Sequence, residues 1–354
     1  MNIQKAIAEE CLKLIQRHQA LVAQNNAQRR KFERITGEPG GRHQHRFSIW
    51  DVADHFNPYK VRKKARRAAA SIQHRLDTNT YEPRPVLVRE VDKADGSKRA
   101  LSIFPVADAG LGTLVFRRIN DRNQHRLSPF SYAFRSDIRI HQAIDALSRE
   151  LTERNRYWVV EFDFAKYFDT ISHDYILKTV AKYFRVTENE YRVLRATLGS
   201  NRAFGVERYR AGKYSATTKG VPQGNSLSLF LANAACHELD LAIGRTAATF
   251  ARYADDILLL CRTSAEADHV AELILDHCKT AGLAVNFSKS DAISQFGPEW
   301  VSERRRETHS GGKHALDYLG YRFEYRQIRR SPPVSGKLSP PPRSGVRASH
   351  SLGA

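Results

Sequence analysis

The sequence predicts an α+β chain built on a split βαβ unit, an antiparallel sheet with helices on one face. Three observations carry this. Tyr157-Trp158-Val159-Val160-Glu161-Phe162-Asp163 is an apolar strand that ends in a carboxylate. The runs Ala247–Phe250 and Ile257–Leu260 flank Tyr253-Ala254-Asp255-Asp256 as the arms of a tight hairpin. Thr263 with Glu266 fits a capping box for a helix carrying Val270, Leu273 and Ile274, which Gly282 ends before a strand over Leu283–Phe287.

The other elements follow in order. Ile3, Ile7, Cys11, Leu14, Ile15, Leu21 and Val22 recur at helical spacing over 3–34, and Thr36–Gly41 breaks the pattern. Residues 58–76 read as a basic helix with Arg62-Lys63-Lys64-Ala65-Arg66-Arg67, either a solvated face or a phosphate contact. Val86–Val91 and Arg99–Ile103 enclose Asp95-Gly96, a strong hairpin signal. A helix is expected over 107–126. From 157 the order reads strand, helix, helix, hairpin, helix, strand. Gly220–Ser228 is a compact turn that opens a helix through Asn233; Gly224 permits close backbone approach, and Gln223 offers an amide. Residues 329–354 are rich in Pro, Ser, Gly and Arg and are expected to be disordered.

Length and charge bound the function. A chain of 354 residues allows two or three lobes, and 41% hydrophobic residues suffice for a sizeable core. Fifty-seven Lys and Arg against 38 Asp and Glu give +19, which points to a polyanionic partner such as a phosphate backbone; the alternative is a basic soluble protein without one. Cys11, Cys236, Cys261 and Cys278 form no C-x-x-C pair and lie in apolar settings, so reduced buried thiols are expected. Neither a secretory leader nor a membrane span is visible, and a cytoplasmic protein is expected.

The chemistry starts at the hairpin tip. Two adjacent anions repel each other, and the usual offset is a divalent cation with its preference for hard oxygens. Asp163 alone reads as a strand-end carboxylate. In the split βαβ layout it would instead converge with Asp255 and Asp256. Three carboxylates suit two magnesium ions, which activate an attacking 3′-hydroxyl and stabilise the charge of in-line phosphoryl displacement.

The order of motifs resembles reverse transcriptases of the bacterial type, those of group II introns and retrons. Phe162-Asp163 through Phe168-Asp169 resembles the first palm motif, Gly220-Val221-Pro222-Gln223-Gly224 the second, and Tyr253-Ala254-Asp255-Asp256 the Tyr-x-Asp-Asp box. Gly282-Leu283 through Asn286 with Lys289-Ser290 resembles the fourth, and Leu316-Asp317-Tyr318-Leu319-Gly320-Tyr321 the primer grip. The Asp95-Gly96 hairpin and Ser131-Tyr132-Ala133-Phe134-Arg135 are similar to the fingers region.

The resemblance, over about residues 55–325, implies a right-hand fingers–palm polymerase. Its expected parts are an N-terminal helical extension (1–45), fingers (46–155), palm (156–300), primer-grip region (301–326) and a disordered basic tail (327–354). It implies RNA-directed DNA synthesis on a primer 3′-hydroxyl with two Mg²⁺ ions, or Mn²⁺ as substitute. Asp163, Asp255 and Asp256 would be metal ligands, joined by the carbonyl of Phe164. Phe168 would exclude a 2′-hydroxyl. Arg99, and more weakly Lys93, would hold the triphosphate, and Gln223 with Gly224 would meet the nucleotide or its template base. Lys289 would protonate the pyrophosphate leaving group, unless it is an ordinary surface lysine.

Expected partners are an RNA template or structured RNA, a DNA primer and dNTPs, with no membrane. The thumb is expected to be reduced or missing, its place taken by a protein partner or a second copy. Two departures stand out. The second motif usually continues with prolines; here it reads Asn225-Ser226-Leu227-Ser228-Leu229, which leaves the loop shape open. The Val-Thr-Gly run of retrons is absent. The alternatives are a defence-associated enzyme with protein-primed or untemplated synthesis, and an inactive nucleic-acid-binding relic.

Overall fold

The computed structural model describes residues 2–40, 48–92, 96, 98–153, 157–286, 293–297, 311–327 and 344–350. The chain begins with helices α1 (Ile3–Thr36), α2 (Pro58–Lys63) and α3 (Ala65–Asp77), the hairpin β1 (Val86–Asp92) and β2 (Lys98–Ile103), and α4 (Val106–Asn123). Then come α5 (Ile140–Glu153), β3 (Trp158–Ala165), α6 (Tyr167–Thr170), α7 (His173–Tyr183), α8 (Glu188–Leu198), β4 (Arg202–Phe204), α9 (Val206–Arg210), α10 (Ser226–Ala235) and α11 (His237–Ile243). The hairpin β5 (Thr249–Tyr253) and β6 (Asp256–Cys261) leads into α12 (Ser264–Ala281). Strands β7 (Ala284–Val285), β8 (Ser294–Phe296), β9 (Gly311–Lys313), β10 (Ala315–Tyr318), β11 (Tyr321–Gln327) and β12 (Ser344–His350) follow.

These elements form two compact units, each made of two chain segments. The first comprises Met1–Asn123 and Phe184–Leu231, the second Gln124–Tyr183 and Ala232–Ala354. In the first unit the amino-terminal half of α1 buries Ile3, Ile7, Cys11 and Ile15, and the helix packs against α2, α3 and α4. The sheet order is β2-β1-β4, with β4 parallel to β1. Leu87, Ala203, Phe56 and Tyr209 close a small core beneath it. Glu190 of α8 is buried, pairs with Arg122 of α4 at 2.8 Å, and also completes a capping box with Thr187.

The second unit holds the central sheet, ordered β5-β6-β3-β8-β9, with β7 also paired to β3. Pairing is antiparallel except between β8 and β9. Strand β6 is apolar after Asp256 and buried throughout that run, whereas β3 alternates, burying Phe162 and Phe164 and leaving Glu161 and Asp163 half-buried. Ala143, Ile144, Leu147 and Leu151 of α5 pack with Val159, Ala251, Leu258 and Leu260, and Leu316, Tyr318 and Phe323 of the β10–β11 hairpin join them. All four cysteines are free and buried.

The α+β class with a mainly antiparallel sheet agrees with the sequence. Several details differ. The basic helix is two helices, broken at Lys64. Between β3 and the β5–β6 hairpin lie six helices and β4 rather than two helices, and the stretch Phe184–Leu231 belongs to the first unit. The capping box at α12 is half formed: Thr263 accepts from the Glu266 amide, but Glu266 caps Arg262 at 2.7 Å instead of Thr263. Residues 344–350, expected within a disordered tail, form β12 along β11. Edge pairing uses backbone donors and acceptors, so a segment poor in apolar side chains can still join a sheet. Among the described residues no helix is long and apolar enough to cross a membrane.

Candidate active site

Register brings the carboxylates together. Asp163, near the end of β3, pairs directly with Asp256, the first residue of β6. Asp255 occupies the turn before it. Glu161, Phe162, Asp163, Asp255, Asp256 and Asp317 line one open cleft of about 340 Å³. Burial and the charges of Asp255, Asp163 and Glu161 push the Asp256 carboxyl up to about 7. Such a cluster is short of positive charge. Lys313 supplies some by pairing with Glu161, and Asp317 pairs with Arg322 at 2.7 Å. Asp163 is oriented from β7's end, where Asn286 donates its backbone N–H to the Asp163 carbonyl at 2.8 Å and its side-chain amide to Oδ2 at 3.0 Å.

The donors are all carboxylate oxygens, which fits a hard divalent cation and not a soft one. Among the described residues, however, no three His, Cys, Asp or Glu side chains already close around one point. The carboxylates share a cleft without forming a finished ligand shell.

The turn itself is strained. Tyr253 pairs with Asp256 across two residues, and Ala254 has φ +59° while Asp255 keeps a negative φ. A positive φ at the first central position is the place for glycine in a type II′ turn. Here alanine takes it, at a cost of about 1–2 kcal/mol. Beneath it lies a feature the sequence reading missed. Arg252 is fully buried and forms a two-pronged pair with Asp240 of α11 at 2.7 and 2.6 Å, both side chains wholly shielded from solvent. Its remaining donors reach the Ala254 carbonyl at 3.0 Å, Ser131 Oγ at 2.8 Å and Asn233 Oδ1 at 3.4 Å. Burial opposes the Arg252 charge, but the Asp240 carboxylate outweighs it and holds the guanidinium above its ordinary pKa. An arginine inside the apolar strand Thr249–Tyr253 was the available signal, since a buried charge demands a partner.

Tyr318 supports the turn from the β10–β11 hairpin. Its hydroxyl donates to the carbonyls of Ala251 at 2.8 Å and Asp256 at 3.3 Å. That hairpin turns through Leu319 (φ +52°) and Gly320 (φ +79°), the two positive angles of a type I′ turn. The Ser131–Arg135 stretch also packs in this unit: Tyr132 N donates to the Arg252 carbonyl, Arg252 N to Phe130, and the Phe134 ring lies 6.2 Å from that of Tyr253.

The other expected residues fall as follows. Phe164 is buried, its ring stacked on Tyr167, and it does not line the cleft. Phe168 is half-buried, edge-on to Tyr167, while Tyr167 is anchored in the core by a hydrogen bond to Ala232. In the first unit, Arg99 is exposed on β2 opposite Val91. Gln223 accepts the Ser102 N–H on its carbonyl at 2.6 Å, and Gly224 has φ +130° with space for no side chain: a Cβ would lie 2.1 Å from the Ser102 carbonyl oxygen. In the Asn225–Leu229 run that lacks the usual prolines, Asn225 caps the Leu227 amide at 3.0 Å, and Ser228 Oγ donates to the Pro222 carbonyl. Side chains thus hold the loop that prolines would have stiffened. Lys93 and Lys289 lie outside the described residues.

The reverse transcriptase (RNA-dependent DNA polymerase) family matches residues 91–323. The chain belongs to that family. Within it, this reverse transcriptase chain is 27% identical to Protein YkfC of Escherichia coli over 172 residues, 48% of the chain and 43% of the relative. It is 28% identical to the group II intron-encoded protein LtrA of Lactococcus lactis over 194 residues, 54% of the chain and 29% of the relative. The chain spans less than half the length of the curated relatives it matches. A solved structure of apo telomerase from Candida tropicalis aligns with a TM-score of 0.47 at 12% identity, covering 68% of this chain and 53% of that one.

Proposed function

We infer that the chain is an RNA-directed DNA polymerase that adds dNTPs to a primer 3′-hydroxyl, with its chemistry at the carboxylate cleft. One observation carries this: the family's Asp-Asp turn and a third aspartate meet across a single strand pair, Asp163 opposite Asp256. Asp163, Asp255 and Asp256 would hold two Mg²⁺ ions, with the Phe164 carbonyl as a further donor. Bound there, the ions would activate the attacking hydroxyl and stabilise the charge of in-line displacement. Asn286 would keep Asp163 aimed at the cleft. Phe168, half-buried where Tyr167 is locked in the core, would set sugar selectivity. Arg99 with Lys93 would hold triphosphate oxygens, Gln223 and Gly224 the nucleotide or template base, and Lys289 would serve as the general acid. On this reading the second unit supplies the palm and the first the fingers.

The test is primer extension on an RNA template with dNTPs and Mg²⁺, run beside Asp255→Asn/Asp256→Asn. Extension by the parent and none by the variant is expected. Equal products from both would sink the assignment. Phe168→Ala should admit ribonucleotides, and unchanged sugar selectivity would remove the gate role.

A further inference from the structure

The carboxylate cleft leaves the basic segment over α2 and α3 without a role. We propose that the first unit carries a second nucleic-acid contact, a groove along α2 and α3 that binds the phosphodiester backbone of one strand without reading its bases. Lys64, Arg67, Ser71 and Arg75 recur at steps of three and four residues, so they share one helix face. Arg84 and, from α4, Ala107 and Asp108 complete a hollow of about 420 Å³ with that face. A second hollow of about 250 Å³ shares Lys64, Ala68, Arg84 and Ala107 with the first and continues to Lys60 and His55. The shared lining makes them one groove.

Most of its charge is uncancelled, although Asp54 lines the smaller hollow. Lys60 pairs with Asp54 at 2.6 Å, but Lys64, Arg67 and Arg84 make no ion pair among the described residues. The larger hollow holds a single carboxylate, Asp108. It is 5% exposed, and its oxygens already accept from the Tyr81 hydroxyl at 2.8 Å and the Arg84 backbone N–H at 3.3 Å. Unpaired cations gathered along one groove repel one another, and a bound anion relieves that repulsion. Guanidinium forks, an ammonium and the Ser71 hydroxyl are the donors that phosphate oxygens take. No Phe, Tyr or Trp lines either hollow, and the one imidazole, His55, is half-buried and hydrogen-bonded to the Tyr209 hydroxyl, so the groove offers no open stacking platform for bases.

The experiment uses the full chain without metal or dNTPs, so its failure and a failure of the polymerase reading are separate results. Binding of labelled oligo(rU), oligo(rA) and oligo(dT) is followed by anisotropy across a salt series. Arg67→Gln/Arg84→Gln is compared with Lys63→Gln/Arg66→Gln, a pair of equal charge outside the groove lining. Arg67 and Arg84 are exposed, so the fold is not at stake. The groove pair should weaken binding roughly tenfold and lower the salt slope by about 0.7 for each phosphate lost, and the outer pair should leave the slope unchanged. Equal loss on rU and dT marks a contact blind to sugar; loss on one alone supports the groove and assigns it to that strand type. Equal effects from the two pairs, no change in slope, or a loss that differs between oligo(rU) and oligo(rA) would overturn the proposal.

Discussion

Replacing Arg252 by methionine should separate the stability of the second unit from its chemistry. The variant leaves Asp240 charged and alone in a site with no solvent exposure. Removing one partner of such a pair costs about 3–5 kcal/mol. It also strips donors from the Ala254 carbonyl, Ser131 Oγ and Asn233 Oδ1, at about 1 kcal/mol for each that finds no new partner. The double variant Arg252→Met/Asp240→Leu removes the stranded charge. Exchange of a buried pair for apolar side chains is often neutral or stabilising, so most of the first loss should return. The Ala254 turn does not regain its donor, and primer extension should stay low in both variants. Urea midpoints measure the stability and primer extension the chemistry. A single variant that loses under about 1 kcal/mol would refute the burial reasoning. A double variant that recovers full extension would refute the link from Arg252 to the turn.

Three further outcomes follow from the same geometry. Gly224→Ala meets both a φ of +130° and a backbone oxygen 2.1 Å from the new Cβ; it should cost at least about 2 kcal/mol, seen as a lower melting temperature. His277 is pushed down to about 4 by burial, with the Arg252 charge adding to the effect. The folded state therefore binds fewer protons than the unfolded chain, stability is fully present above about pH 6.5 and is lost as pH falls toward 4, by about 3 kcal/mol in all; His277→Leu should flatten that part of the urea-midpoint profile. Mg²⁺ at a hundredfold excess over its Kd should stabilise the parent by about 2.7 kcal/mol, whereas Asp255→Asn/Asp256→Asn should start more stable and show no Mg²⁺ shift.

What the sequence revealed was local. An alternating strand ending in Asp163 and a two-residue turn between apolar runs depend on neighbours along the chain, and β3, β5 and β6 formed where those patterns placed them. The pairing of Asp163 with Asp256 followed once the layout was known. Membership of Phe184–Leu231 in the first unit was not legible, because it depends on packing between segments far apart in sequence. The strand Ser344–His350 was missed for the opposite reason: composition tests whether side chains can build a core, and an edge strand needs only backbone partners. Lys93 and Lys289 stand outside the described residues, so their roles rest on the motif match alone.

The candidate site concentrates its cost in one turn. Burial, together with the neighbouring charges of Asp255 and Asp163, raises the Asp256 carboxyl, and Ala254 adds an unfavourable backbone angle at the same tip. Nothing about a stable hairpin calls for either. The fold offsets them from below, where Arg252 is locked to Asp240 and Tyr318 bonds the carbonyls of Ala251 and Asp256. Those supports hold backbone, not the carboxylate oxygens, which still face an open cleft. A scaffold that fixes the turn while its carboxylates stay close together in an open cleft suits the proposed metal site: rigid donors whose repulsion a bound cation would relieve. The same division explains why the sequence revealed the carboxylates and concealed their support. The carboxylates sit together in the chain, while Ser131, Asn233, Asp240, Arg252 and Tyr318 meet only after folding.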